Sequence, residues 1–192
     1  MHGIARALLP VVLILAAPAI ARGQAPGKFV ALIGGAVRSD LGSFVNTDGR
    51  WGGTAGILFG VNASWSSITM EGNWIQKGDE STHLDYIEVP VTVGAVMLLR
   101  DGKTRGRLYT GLSLGFNTRC ESEVLDCDLA EDTELGWPLG FQFATVRGAN
   151  TFIGIDVRYS YPLIEVYDDL DAHNRPWQFR LMIGRTLGQS SR

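Results

Sequence analysis

Hydrophobic and polar residues alternate along most of this chain with a period of two. In residues 85–99, DYIEVPVTVGAVMLL, the apolar positions are separated by Glu88, Pro90, Thr92 and Gly94. Because successive side chains of a β-strand point to opposite faces, this alternation predicts a strand with one apolar and one polar face. The same pattern recurs in eight segments of about ten residues each, the length that a membrane-spanning strand requires.

The connections between these segments are alternately short and long. Those after the second, fourth and sixth segments are short, whereas the other connections are longer and mostly acidic: SDLGSFVNTDGR, KGDESTH, CESEVLDCDLAEDT and EVYDDLDAHN. This arrangement predicts an all-β fold, an eight-stranded antiparallel up-and-down barrel with short turns at one end and long loops at the other. Proline cannot donate to a neighbouring strand, so we expect a bulge or irregularity at Pro90 and at Pro138.

The first residues have the pattern of an export signal. Arg6 precedes the apolar stretch ALLPVVLILAAPAI, and Ala19 and Ala21 provide the small residues of a cleavage site. The unbroken apolar part is too short for a membrane-spanning helix. We therefore expect a signal peptide over residues 1–21 and a barrel domain over residues 22–192.

The face opposite the apolar one has an unusual composition. It is rich in glycine rather than in lysine, glutamate and threonine, with Gly56, Gly60, Gly94, Gly111, Gly115, Gly136, Gly140, Gly154 and Gly184. Small residues suit the crowded interior of an eight-stranded barrel, where they must alternate with large ones. Aromatic residues near strand ends on the apolar face are typical of a membrane interface: Trp74, Trp137, Tyr159, Tyr161 and Trp177.

These features favour a transmembrane barrel with its apolar face outside. The alternative is a lipocalin-like barrel with reversed faces, in which Phe59, Leu114 and Phe141 would line a ligand cavity. The formal net charge of -3 and pI near 5.6 provide no basic surface for nucleic acid, so a nucleic-acid partner is not expected.

Residues 86–91, YIEVPV, also carry a family resemblance. The tyrosine, aliphatic, glutamate, aliphatic, proline order resembles the signature of a central strand in the PorT-like outer-membrane β-barrel domain family. The resemblance extends over the mature chain through strand count and loop alternation, and it groups the chain with small barrels of the OmpA and OmpX type. It implies location in a bacterial outer membrane, without an assigned biochemical activity.

Polar residues on the interior face form the main candidate site. The carboxylates Glu71, Glu88 and Asp156 are balanced in number by Arg107, Arg158 and Arg180, and buried charges must pair. We predict a lumen polar network of Glu71, Glu88, Arg107, Tyr109, Gln142, Asp156, Arg158 and Arg180. Such a network can fill the barrel as a structural plug, which we favour, or form an ion path or proton relay.

The long loops contain the remaining candidate chemistry. Cys120 and Cys127 predict a local disulfide in an oxidising compartment, since two thiols alone make an incomplete zinc site. The surrounding acids could bind calcium or magnesium, but no EF-hand spacing is present, and a solvated acidic loop is the simpler interpretation. These acids are Glu121, Glu123, Asp126, Asp128, Glu131, Asp132 and Glu134. We expect no metal site and no cofactor.

A lipid-modifying enzyme is a further alternative. Ser81, His83 and Asp85 lie together in one loop, and another loop contains His173 with Asp168, Asp169 and Asp171. No nucleophile motif such as G-x-S-x-G accompanies them, so we expect no enzyme. The predicted function is a structural or surface-interacting outer-membrane barrel. Its partners would be membrane lipid and an extracellular ligand or protein at the loops, and passage or binding of a small solute is the other alternative.

Overall fold

The computed structural model describes residues 27–40, 49–99, 103–123, 126–127, 131–148, 150–163 and 174–187. The expected signal peptide lies outside these residues, so it and the proposed domain bounds stay predictions. Eight strands are present: β1 (Gly27–Ser39), β2 (Arg50–Ala63), β3 (Ser66–Gly78), β4 (Thr82–Leu98), β5 (Thr104–Ser122), β6 (Thr133–Arg147), β7 (Thr151–Pro162) and β8 (Trp177–Leu187). No helix in this part of the chain is long and apolar enough to cross a membrane.

The eight strands form one closed, fully antiparallel barrel. Each strand pairs with the next, and β1 also pairs with β8, from Lys28 opposite Leu187 to Arg38 opposite Trp177. Closure leaves no strand edge without a partner. The predicted fold class, an eight-stranded up-and-down antiparallel barrel, is therefore confirmed.

The two faces of the strands are oriented as the alternation predicted. Every strand presents large apolar side chains on the outside, and Leu32 and Leu181 are each 65% exposed. Charged and polar side chains of the opposite parity are buried inside. Phe59, Leu114 and Phe141 are 51%, 41% and 42% exposed, so they line no internal cavity. The lipocalin-like alternative with reversed faces is wrong.

The prolines interrupt pairing without shifting its register. The β3–β4 ladder lacks the pairs opposite Pro90 and Val89, and its register is the same on both sides of this gap. The β5–β6 ladder has a similar gap opposite Pro138, whose carbonyl oxygen instead accepts a hydrogen bond from Thr110 Oγ1 at 3.1 Å. The expected irregularities are therefore present. The register shift between β4 and β5 lies elsewhere, between Asp85 and Tyr86.

The barrel has two different ends. The end with the β2–β3, β4–β5 and β6–β7 connections is called the turn end here, and the opposite end is called the loop end. At the loop end, β3 and β4 extend so far that only Asp79, Glu80 and Ser81 connect them. The expected long loop KGDESTH is thus a tight turn. Its Asp79 carboxylate accepts hydrogen bonds from the backbone N–H groups of Ser81 at 2.9 Å and Thr82 at 2.7 Å.

The predicted aromatic residues cluster at one end of the outer surface. Trp74, Trp137, Tyr159, Tyr161 and Trp177 all lie on the loop-end halves of their strands. Tyr159 packs on Trp177 of the neighbouring strand, with ring centroids 5.0 Å apart. Trp51, a sixth aromatic residue near this end, packs on Phe179. The outer surface therefore has an aromatic band next to the loops.

Candidate functional site

The middle of the barrel interior contains a network of buried charges, called the central network here and formed by Glu71, Tyr109, Asp156, Arg158 and Arg180. Arg180 Nη1 donates to Glu71 Oε2 at 2.8 Å, and Arg158 forms a second ion pair with Glu71. Arg180 also donates to Asp156 Oδ1 through Nε at 2.9 Å and through Nη2 at 2.6 Å. Two carboxylates thus face two guanidinium groups.

Tyr109 connects the two halves of this network. Its hydroxyl donates to Asp156 Oδ2 at 2.8 Å and accepts from Arg158 Nε at 3.0 Å. Glu71 lies on β3, Tyr109 on β5, and the other members lie on β7 and β8. The contacts therefore extend across the interior from strands that are not neighbours. A mixed set of charged and neutral partners satisfies most of the available donors and acceptors, which is the condition for keeping charges buried.

Arg107 has different partners from those that the charge balance suggested. Its Nε donates to Ser67 Oγ at 2.5 Å, its Nη2 to Thr92 Oγ1 at 2.7 Å, and its Nη1 to Gln142 Oε1 at 3.2 Å. No carboxylate of the described residues forms an ion pair with it. The charge balance did not predict this hydroxyl environment, although Ser67 and Thr92 have the same parity as the interior charges.

Glu88 also pairs outside the predicted set. It forms an ion pair with Lys77, whose Nζ also donates to Glu134 Oε1 at 2.7 Å. Lys77, Glu88 and Glu134 are all buried, and they are called the loop-end cluster here. Lys77 additionally lies over the Tyr86 ring, with Nζ 4.9 Å from the ring centroid. One ammonium group is thus shared by two carboxylates.

The prediction that Lys77 and Glu134 lie in long acidic loops is wrong for both residues. The strands β3 and β6 extend further towards the loop end than expected, so the two side chains follow the interior parity. The available signal was the period of two. Glu71, Asn73, Ile75 and Lys77 occupy every second position of the strand, and all four are buried.

Part of the interior near the turn end is apolar. A cluster of Ala31, Ile33, Leu58, Phe152 and Met182 fills it, with Phe29 packed against the cluster. Interior glycines make room for these rings. A Cβ at Gly60 would lie 2.2 Å from the Phe29 ring, and one at Gly184 would lie 2.3 Å from Phe152. Glycine on this face is therefore required by close packing, as the alternation of small and large residues predicted.

The loop end has a disulfide and several exposed acids. Cys120 and Cys127 are joined, as predicted. Nearby, exposed Arg119 pairs with Glu121, and the hydrogen bond to this carboxylate raises the pKa of the guanidinium above its ordinary value. Asp128 lies outside the described residues. In the part of the chain that the structure describes, no group of three or more His, Cys, Asp or Glu side chains is placed to hold a metal ion.

The structure describes only some of the residues that could form the active site of an enzyme. His83 is exposed on β4, directly opposite Glu121 of β5. Ser81 Oγ donates to Asp79 Oδ1 at 3.0 Å, so its hydroxyl hydrogen bond goes to a carboxylate in its own turn. Asp168, Asp169, Asp171 and His173 lie outside the described residues. Among the described residues, Ser81 thus forms no nucleophile and base pair with His83.

Comparison with known proteins was made by family and by structure. No family model matches the chain, and no curated protein matches it. Among solved structures, Neisserial surface protein A (NspA) has a TM-score of 0.61 at 12% identity, covering 84% of this chain and 99% of that chain. The N-terminal β-barrel domain of Pseudomonas aeruginosa OprF has a TM-score of 0.50 at 12% identity, covering 85% and 100%.

This chain has the fold of small outer-membrane barrels. Ail, the attachment invasion locus protein of Yersinia pestis, is also similar, with a TM-score of 0.47 at 16% identity over 84% of this chain and 99% of that chain. The similarity to NspA and OprF extends over nearly the full length of both structures, so the chain shares their complete barrel.

Proposed function

We propose that this chain is a bacterial outer-membrane barrel with a filled interior, and that its role is structural or is recognition at the cell surface through its loop end. The observation that carries the proposal is the distribution of side chains. Large apolar groups cover the outside of all eight strands, whereas charged groups are buried inside. The proposal requires no cofactor and no catalytic group.

The outside of the barrel fits hydrocarbon better than water. Monomeric soluble proteins rarely expose contiguous apolar patches larger than a few hundred Å². Here exposed apolar side chains encircle the barrel, for example Leu32 on β1, Ile87 on β4 and Leu181 on β8. Closure of the barrel also satisfies the backbone groups within the sheet, as hydrocarbon demands. The aromatic band near the loops fits the headgroup region of one membrane surface.

The interior supports a plug rather than a diffusion pore. Ion pairs join Glu71 on β3 to Arg158 on β7 and Arg180 on β8, and these contacts cross the interior. Tyr109 adds a bulky side chain beside them, and a Cβ at Gly140 would lie 2.3 Å from its hydroxyl. An eight-stranded barrel leaves an interior just wide enough for such side chains. We therefore assign the lumen polar network a structural role.

The loop end is the part of the proposed protein that would face the cell exterior. The disulfide between Cys120 and Cys127 restricts the connection between β5 and β6. An ordered loop loses less entropy on binding than a flexible one, so it suits recognition. The acidic side chains of this end would favour a basic partner surface. A protein or other extracellular ligand is the partner class that we propose.

We also propose that the chain is a PorT-like barrel and is exported by the signal peptide over residues 1–21. The support for the family is the location of the signature on β4: Tyr86, Glu88 and Pro90 are all buried on the interior face, and Glu88 forms the ion pair with Lys77. These three residues of the signature would thus share one role, which is to fill the barrel interior near the loop end.

Fractionation and gel mobility test the membrane assignment. We expect the protein in the outer-membrane fraction, and we expect its mobility to differ between unheated and boiled detergent samples because a closed barrel resists detergent until heated. A protein recovered from the periplasm without detergent, with no heat-dependent shift, would contradict the proposal.

A matched pair of variants tests which face meets lipid. Leu181 lies at the middle of β8 and Leu187 at its turn end, and both are exposed on the outer face. For Leu181→Arg we expect a loss of about 2–4 kcal/mol in the free energy of unfolding from lipid vesicles, and for Leu187→Arg about 0–1 kcal/mol. Equal and small effects of the two substitutions would mean that water, not lipid, covers this face.

A further inference from the structure

The interior of the barrel is not completely filled near its turn end. A cavity of about 50 Å³ lies there, and its lining includes Arg105, Arg107, Gln142, Ala144, Phe152 and Met182. One water molecule needs roughly 10–15 Å³ of such space. The cavity therefore has room for a few water molecules or for one small solute.

The polar atoms at this cavity that have no partner are hydrogen-bond donors. Among the described residues, Arg105 Nε and Gln142 Nε2 are buried and make no hydrogen bond. Gln142 as a whole is only 6% exposed, and its Oε1 already accepts from Arg107. Buried donors without acceptors are rare in native proteins and call for an explanation. An acceptor inside the cavity would provide one.

The charge of this region points to the same kind of ligand. Neither Arg105 nor Arg107 forms an ion pair with a carboxylate of the described residues. The two carboxylates of the central network are occupied by Arg158 and Arg180. Arg107 is buried and a guanidinium group keeps its charge in a protein, so an anion beside it would lower the cost of burying that charge. The cavity thus combines two positive groups with spare donors.

We propose that this cavity binds a small monocarboxylate of about the size of propionate. A carboxylate matches the planar donor geometry of arginine, and both of its oxygens can accept from the donors of Arg105, Arg107 and Gln142. The apolar lining residues Phe152 and Met182 suit a short alkyl group rather than a second charge. This inference goes beyond the proposed function, since a barrel with a structural or surface role requires no ligand.

Binding of isotopically labelled propionate tests the inference. Propionate labelled with carbon-13 at its carboxyl carbon is titrated, at constant ionic strength, into the purified protein folded in detergent micelles. We expect a saturable change in the NMR signal of the labelled carbon, and we expect no competition by propionamide, which has the same shape without the charge. The absence of saturation, or displacement by propionamide, would overturn the proposal. Equal displacement by chloride would overturn the assignment to a carboxylate.

Variants locate the binding. Gln142→Glu places a carboxylate among the arginines at almost unchanged size, and we expect it to weaken propionate binding about tenfold or more. Arg105→Gln is the second variant, and because Arg105 is only partly buried we expect this variant to fold and to bind propionate more weakly. Arg185→Gln is the matched control, since Arg185 is an exposed cation at the turn end outside the barrel. The heat-dependent gel shift verifies folding of each variant. Equal weakening by Arg185→Gln would assign the binding to the outer rim and overturn the inference.

Discussion

The central network and the loop-end cluster solve the same problem in different ways. Both keep charged side chains away from water inside one narrow barrel. In the central network two carboxylates face two guanidinium groups, and Glu71 receives ion pairs from both Arg158 and Arg180. In the loop-end cluster the ammonium group of Lys77 is shared by Glu88 and Glu134. The first group is balanced in charge, whereas the second has one negative charge in excess.

The difference determines how each group responds to loss of a member. A guanidinium group that loses its partner stays charged, because arginine does not deprotonate in proteins. A carboxylate that loses its partner can take up a proton and become neutral. Loss of a carboxylate from the central network should therefore be damaging at every accessible pH, whereas the damage from loss of the ammonium group in the loop-end cluster should depend on pH.

The largest effect is expected for Glu71→Gln in the central network. The substitution keeps the shape of the side chain but leaves Arg158 without its carboxylate and Arg180 with only Asp156. We expect the free energy of unfolding to fall by about 3–5 kcal/mol, as measured by urea titration of the barrel in lipid vesicles. Glu121→Gln is the control, since it breaks an exposed ion pair with Arg119 that solvent screens, and it should change the free energy of unfolding little.

A Glu71→Gln variant that loses no more stability than Glu121→Gln would show that the central network is hydrated and screened. The plug that we propose would then have no energetic basis, and the alternative of an ion path through the barrel would gain support.

A smaller and pH-dependent effect is expected for Lys77→Met. Methionine retains the length of the lysine stem but leaves two buried carboxylates without a cation, so we expect a loss of about 2–3 kcal/mol at pH 7. Burial disfavours the charged form of Glu134 and raises its pKa, so in the folded variant this carboxylate should bind a proton that the unfolded chain does not bind near neutral pH. Stability should therefore fall as pH rises and recover on acidification to about pH 5.

The matched control for Lys77→Met is Lys28→Met, because Lys28 is exposed at the turn end of β1. It should change the unfolding free energy little at any pH. A loss in Lys77→Met that is independent of pH would mean that lost packing on Tyr86, and not the two carboxylates, accounts for the effect.

The central network and the loop-end cluster also differ in how well they could be predicted from the sequence. The barrel and its two faces follow from a period of two that repeats in every segment. Because all eight segments show the same pattern, each one strengthens the prediction made from the others. The members of the central network follow from parity alone, because Glu71, Asp156, Arg158 and Arg180 all occur at interior positions in the middle of clear strands.

The loop-end cluster was missed because turn-forming and acidic residues near the strand ends obscured the period of two that continues from Glu71 to Lys77. Lys77 and Glu134 lie where turn-forming and acidic residues suggested loops, and only the extension of β3 and β6 places them inside. The partners of Arg107 were missed for another reason. Parity selects the face of a side chain, but the register of all eight strands around the closed barrel decides which side chains meet across it.

The smallest effect is expected for Glu134→Gln, which removes the excess charge of the loop-end cluster. Its amide oxygen can still accept from Lys77, and Lys77 and Glu88 then form a balanced pair. Loss of the attraction to Lys77 is offset by loss of the repulsion between the two carboxylates, so we expect a change within about 1 kcal/mol in either direction. Urea titration of Glu134→Gln and Glu71→Gln in the same lipid vesicles compares their free energies of unfolding directly. A loss of stability as large as that of Glu71→Gln would mean that the buried charge of Lys77 is stabilised mainly by Glu134. The central network and the loop-end cluster would then differ in composition, but each would require all of its members for stability.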